Sequence, residues 1–183
     1  MGWKHAARML ILILGSMFCQ LSLQGQALES ARQTEGPYLR VGVTYVGIDT
    51  DSGPWAAAEV AYLGSTPKLW RAGLIAGLVA STHGTVYGYG GIHLPVSLPL
   101  GILVRPSFAV GIYERGRGME LGHALEFRSS FVVERLISDR VRVSAMIYHL
   151  SNAGLGFKNP GLEALGIGVA FPILNHGLIE DQR

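Results

Sequence analysis

The sequence predicts an all-β chain, an eight-stranded antiparallel transmembrane β-barrel. Three observations lead there. Hydrophobic residues recur in alternation through eight segments, each broken by turn residues. Each segment carries one apolar row and one row that is small or charged. Charge is sparse, glycine is abundant (25 of 183 residues), and past residue 27 no apolar run has the length a transmembrane helix needs.

The segments run at about 38–48, 54–64, 69–81, 85–97, 101–113, 122–137, 140–151 and 161–171. Residues 28–37 form an irregular lead-in. Connections at 65–68, 98–100 and 138–139 are tight, whereas those at 49–53, 82–84, 114–121 and 152–160 include the two longest. Short periplasmic turns opposite longer extracellular loops are the habit of outer-membrane barrels. An even strand count then puts both ends of the barrel on the periplasmic side.

The rows sort by parity, because successive side chains of a strand point to opposite faces. Val104, Phe108, Val110 and Ile112 oppose Arg105, Ser107 and Gly111. Phe127, Phe131 and Val133 oppose Glu126, Arg128 and Glu134. Val141, Val143, Ala145 and Ile147 oppose Arg142, Ser144, Met146 and Tyr148. Leu165, Ile167, Val169 and Phe171 oppose Ala164, Gly166, Gly168 and Ala170. Arg40, Glu59 and Arg71 fall on the non-greasy rows of earlier segments. Small residues mixed with Arg–Glu partners suit the narrow interior of an eight-stranded barrel. A solvated sheet face would not need so much glycine.

The N-terminus reads as a targeting segment. Lys4 and Arg8 make a positive n-region, Met9 through Leu14 open a short apolar h-region, and Gly25-Gln26-Ala27 supplies small residues for cleavage. The expected organisation is a signal peptide at 1–27 and a barrel at 28–183, with its chemistry at the extracellular rim. The sole cysteine, Cys19, falls in the targeting segment, so zinc–thiolate and cysteine chemistry are excluded from the mature part. Loss of Lys4 and Arg8 from 15 basic residues leaves 13, against 13 acidic. Such balance speaks against a nucleic-acid partner. His93 is expected inside the barrel, His83 and His123 at loops and His176 in the tail, without metal-ligand spacing.

One constellation carries chemistry. His149 and Ser151 extend the outward row of the seventh segment, and Glu163 heads the outward row of the eighth. The seventh segment ends where the eighth begins, so all three meet at one rim, facing lipid. A charge on the lipid face costs roughly 2–4 kcal/mol at the midplane for a basic residue but about 0–1 near the interface. Residues two apart in a strand are separated by roughly 6.5 Å, a gap an imidazole bridges. Serine, histidine and carboxylate are the set an activated-serine hydrolase needs: Ser151 as nucleophile, His149 as base, Glu163 fixing the tautomer. Asn152, Asn159 or a backbone N–H of 153–156 offers an oxyanion donor.

His149-Leu150-Ser151-Asn152, then Asn159-Pro160-Gly161 and Glu163, resembles the motif of the lipid A 3-O-deacylases. The resemblance implies removal of the 3-O-linked hydroxyacyl chain from lipid A in the outer leaflet of a Gram-negative outer membrane. It implies His149 as base, Ser151 as nucleophile, Glu163 as orienting acid, Asn159 and Asn152 toward the oxyanion, and no metal or organic cofactor. Arg115, Arg117 and Lys158 sit in external loops, where they read first as solvated loop charge and second as contacts for substrate phosphates. Two other classes stay open: a non-enzymatic small barrel for adhesion or envelope integrity, and an outer-membrane acyltransferase or phospholipase. A homodimer also stays open. The tail from Pro172 to Arg183 departs from the terminal aromatic that usually ends such barrels.

Overall fold

The computed structural model describes residues 37–48, 54–64, 72–138 and 140–173. The targeting segment, residues 28–36 of the lead-in, Arg71, the turn at 65–68 and His176 lie outside them. Nine strands follow in order: β1 (Tyr38–Val46), β2 (Trp55–Leu63), β3 (Gly73–Ser81), β4 (Val86–His93), β5 (Val96–Leu98), β6 (Ile102–Glu114), β7 (Leu125–Ser138), β8 (Val141–Ser151) and β9 (Leu162–Pro172). All pairings are antiparallel. β1 pairs with both β2 and β9, and β4 pairs with β6, so the sheet closes on itself. Closure leaves no strand edge to solvate, which a bilayer demands.

β4 and β5 are one stave of an eight-stave barrel. Ile92 lies opposite Phe108 and Val96 opposite Val104, so the register is the same on both sides of the break. The interruption has a chemical cause. Pro95 and, on β6, Pro106 opposite the preceding Leu94 have no N–H to give the ladder, although Leu94 N–H still reaches Pro106 O at 2.9 Å. This breaks the predicted segment 85–97. The segment predicted from 122 begins instead at Leu125, because Gly122 holds a positive φ of 93° and His123 Nδ1 takes the Leu125 N–H at 2.9 Å.

The parity assignment holds around the wall. Val43, Val60, Leu74, Leu78, Phe108, Ile112, Phe131, Ile147, Leu165 and Ile167 are exposed on the outside. Arg40, Glu59, Arg105, Glu126, Arg128, Glu134 and Arg142 are buried inside. A continuous outer belt of aliphatic and aromatic residues is what a hydrocarbon solvent selects. Among the described residues no helix is long and apolar enough to cross a membrane; the crossing is made by strands.

The buried charges are partnered across the lumen. Arg128 NH2 lies 2.9 Å from Glu59, and Arg40 lies 3.7 Å from the same carboxylate. Tyr89 donates its hydroxyl to Glu59. The Arg128 guanidinium sits between the rings of Tyr89 (4.4 Å) and Tyr148 (4.2 Å), a cation–π sandwich. Five staves thus meet on one carboxylate–guanidinium pair. Toward the end where Pro37 O accepts Ile173 N–H, Arg105 binds Glu134 at 2.9 Å and contacts His93 Nδ1 at 3.3 Å. His93 Nε2 contacts Gly64 O at 2.9 Å, which places His93 inside as expected.

Removing one partner of a buried pair leaves an uncompensated charge and typically costs about 3–5 kcal/mol. Glu59→Ala is expected to destabilise the barrel by about that amount, since it strands both Arg128 and Arg40. The urea midpoint of unfolding in detergent micelles, followed by heat-modifiable gel migration, measures it. An unchanged midpoint would show that the lumen network contributes nothing.

Candidate functional site

Both ends of the described chain lie at one rim; at the other are Gly47, Ile48 and Pro54 and the connections 82–85, 115–124 and 152–161. The site occupies that second rim, on the outer wall where β8 ends and β9 begins. His149 and Glu163 are directly opposite in the β8–β9 ladder. Opposed residues of an antiparallel pair share a face with Cβ atoms about 4.5–5.5 Å apart. The imidazole and carboxylate therefore meet without distortion, Nδ1 to Oε1 at 2.8 Å. With Nδ1 engaged by the carboxylate, Nε2 is the nitrogen left for another partner. The Glu163 backbone is fixed as well, because Gly47 N–H donates to Glu163 O at 2.8 Å across the β1–β9 seam.

Ser151 projects to the same outer face two residues on. Its Oγ accepts from Asn159 Nδ2 at 3.0 Å and from the Ala153 N–H at 3.2 Å. Asn159 Oδ1 in turn accepts the Asn152 N–H at 3.0 Å. A side-chain amide and a backbone amide thus both converge on the serine oxygen.

Asn152 is placed differently. It follows Ser151 by one residue, so its side chain turns inward and is fully buried. Its Nδ2 donates to Leu121 O at 2.7 Å and Lys158 O at 2.8 Å, while its Oδ1 accepts the Gly154 N–H at 2.9 Å. The amide expected near an oxyanion instead fastens the 152–161 connection to the 115–124 connection. Within it, Ala153 (φ 54°) and Gly154 (φ 81°) form a tight reversal closed by Leu155 N–H to Asn152 O at 3.0 Å. Two successive positive φ values mark the primed turns that suit hairpins.

Gly161 is the contributor that the sequence did not single out. In the sequence it stands only as the last residue of Asn159-Pro160-Gly161, a tripeptide that reads as a turn. It has φ 76°, and a Cβ there would stand 2.8 Å from His149 Cε1 and 3.5 Å from Nε2. The imidazole therefore rests on bare backbone. Extending the ladder past His149–Glu163 would have shown residue 161 facing the end of β8.

Around the trio the wall is apolar. Phe127 lies across from Ser151 and stacks on Phe108 with centroids 6.0 Å apart. Ser129 lies across from His149. Below Glu163 two open grooves run down the outer wall, the first across β2, β1 and β9 and the second across β1, β9 and β8. One, about 340 Å³, is lined by Val43, Tyr45, Ala56, Leu165 and Ile167. The other, about 650 Å³, is lined by Val41, Val143, Ile167 and Val169 over Gly42 and Gly168. Among the described residues no cluster of three or more His, Cys, Asp or Glu has the geometry of a metal site.

Comparison with known proteins agrees with this architecture. The crystal structure of the outer membrane enzyme PagL superposes with a TM-score of 0.57 at 17% identity, over 74% of this chain and 99% of that one. De novo designed transmembrane β-barrels superpose with a TM-score of 0.53 at 10% identity, over 74% and 92% of the two chains. At these identities the likeness is one of fold. No curated protein sequence matches the chain significantly. The family model for lipid A 3-O-deacylase (PagL) matches residues 57–172, which span the barrel from β2 to the end of β9, and the chain belongs to that family.

Proposed function

We propose that this outer-membrane barrel is a serine esterase that removes the 3-O-linked hydroxyacyl chain from lipid A, with His149, Ser151 and Glu163 as its triad. The observation that carries this reading is the 2.8 Å contact between His149 Nδ1 and Glu163 on the lipid-facing wall, on the same face as Ser151. A histidine–carboxylate pair facing hydrocarbon has no packing purpose. At a rim it is tolerated, and it leaves Nε2 available to a hydroxyl.

In the proposed steps, rotation of Ser151 about χ1 turns Oγ from Asn159 toward Nε2. Oγ attacks the ester carbonyl while His149 takes its proton, and Glu163 stabilises the imidazolium. The rotation frees Asn159 Nδ2 and the Ala153 N–H, which now point at the space beside Oγ. They are the donors for the oxyanion. His149 returns the proton to the departing sugar oxygen, leaving the acyl chain as an ester on Ser151. Water, deprotonated by the same imidazole, releases the hydroxy acid and restores the serine. The grooves below Glu163 accept the acyl tail. This orientation puts the site rim on the extracellular side, at headgroup depth, with residues 1–27 serving as the signal peptide.

Ser151→Ala is expected to lower fatty-acid release from lipopolysaccharide at least roughly a thousandfold, as loss of a nucleophile does. Continued release by the purified variant would end the assignment. Asn159→Ala is expected to reduce kcat by roughly a hundred- to a thousandfold with a small change in KM, as for one oxyanion donor. Gly161→Ala pushes the imidazole aside. A displacement of about 1 Å can cost roughly a hundredfold, and mass spectrometry of lipid A from cells expressing the variant would read it. Wild-type levels of deacylated lipid A would show that the imidazole does not need its glycine bed.

A further inference from the structure

Lys158 differs from the other basic groups of this rim. Arg115 is bound to Glu120 at 2.9 Å, and the second Glu120 oxygen takes the Gly122 N–H at 3.0 Å, so that cation is neutralised within its own connection. Arg117 belongs to the part of the rim near the β3–β4 turn, where its N–H meets His83 O at 2.9 Å. Lys158 is exposed, and among the described residues it forms no ion pair. Its ammonium lies 5.5 Å from the ring of Phe157. Phe157 is 81% exposed, the most exposed of the large apolar side chains described.

The backbone under this pair is held firmly. Lys158 O accepts from the buried Asn152 amide at 2.8 Å. The next residue, Asn159, stands 3.0 Å from the Ser151 hydroxyl. The lysine stem passes Gly122, where a Cβ would come within 2.8 Å of Lys158 Cγ and 2.3 Å of Lys158 O. A positive φ of 93° keeps that position for glycine. Thus a cation and an aromatic face are presented side by side, one residue from an oxyanion donor, on a connection pinned to its neighbour.

A phosphorylated sugar is the complement of that pair. Its C–H face packs on an aromatic ring, and its phosphate accepts charge-assisted hydrogen bonds from an ammonium. We propose that Lys158, backed by Phe157, binds a phosphate of the glycolipid headgroup and makes the site selective for phosphorylated substrate. The inference rests on the esterase reading above. Lys158 takes no part in proton transfer; it positions the sugar so that the ester reaches Ser151.

The test uses the purified full chain in mixed micelles, with lipid A and with lipid A stripped of its phosphates by hydrogen fluoride. The readout is the ratio of KM values for the two lipids, from rates of hydroxy-acid release. The wild type is expected to favour phosphorylated lipid by about tenfold, the scale of one partly exposed charged hydrogen bond. Lys158→Ala loses that preference through KM, with kcat on phosphorylated lipid held within about twofold, and Lys158→Arg keeps it. Added salt narrows the wild-type ratio and leaves the Lys158→Ala ratio flat, as screening requires. A ratio that is the same in wild type and Lys158→Ala overturns the proposal. Should the wild type release no acid from either lipid, the esterase reading falls first and this inference with it. Heat-modifiable migration of each variant confirms the barrel, so a folding defect is told apart from lost selectivity.

Discussion

Closure of the sheet governs everything else in this molecule. Once β1 meets β9 and β4 meets β6, no strand of the barrel is left with an unpaired edge. Each strand residue is then committed to one of two sides, lumen or lipid. A slip of one residue in any strand would exchange its two rows completely, putting Arg128 in hydrocarbon and Phe127 in the lumen. The register is consequently enforced at every level of the barrel. The opposition of His149 and Glu163 inherits that rigidity.

The two sides serve different ends. Inside, Arg128, Glu59, Arg40, Tyr89 and Tyr148 bind one wall to another through the lumen. Outside, a ring of aliphatic and aromatic side chains meets lipid, and polar groups are gathered at the rim where water is near. The site uses both. The groups proposed to react face outward, while Asn152, one residue beyond Ser151, faces inward and secures the connection that carries Asn159. One alternation of the chain separates the residue proposed to react from the residue that holds its surroundings.

Much of this was legible in the sequence because period-two alternation is an unusually direct record of a barrel wall. The eight segments correspond to the eight staves, and the sorting of rows agrees with the observed burial. The trio could be placed on one face and at one height by the same counting. What was not legible depended on events outside the alternation. The break at Pro95 needed knowledge that a second proline, Pro106, stands opposite the neighbouring Leu94 on another strand. The late start of β7 came from the backbone of Gly122 and the ring of His123, which local pattern does not encode. Asn152 reads as an oxyanion donor from its nearness to Ser151 and from likeness to a motif, though its even number already places it on the inward row. Gly161 read as a turn residue because its importance lies in what stands above it, and that neighbour is fixed only by the strand pairing.

The trio and its amide donors all fall between residues 149 and 163, in two neighbouring strands and the bend that joins them. No other strand contributes a group to the proposed reaction. The remaining six staves supply a hull. The proposed catalysis is therefore modular: a cassette of about fifteen residues, seated beside one supporting loop, would carry all of it. Any small barrel whose last two strands keep this pairing offset is a chassis for the same cassette, including those built from first principles.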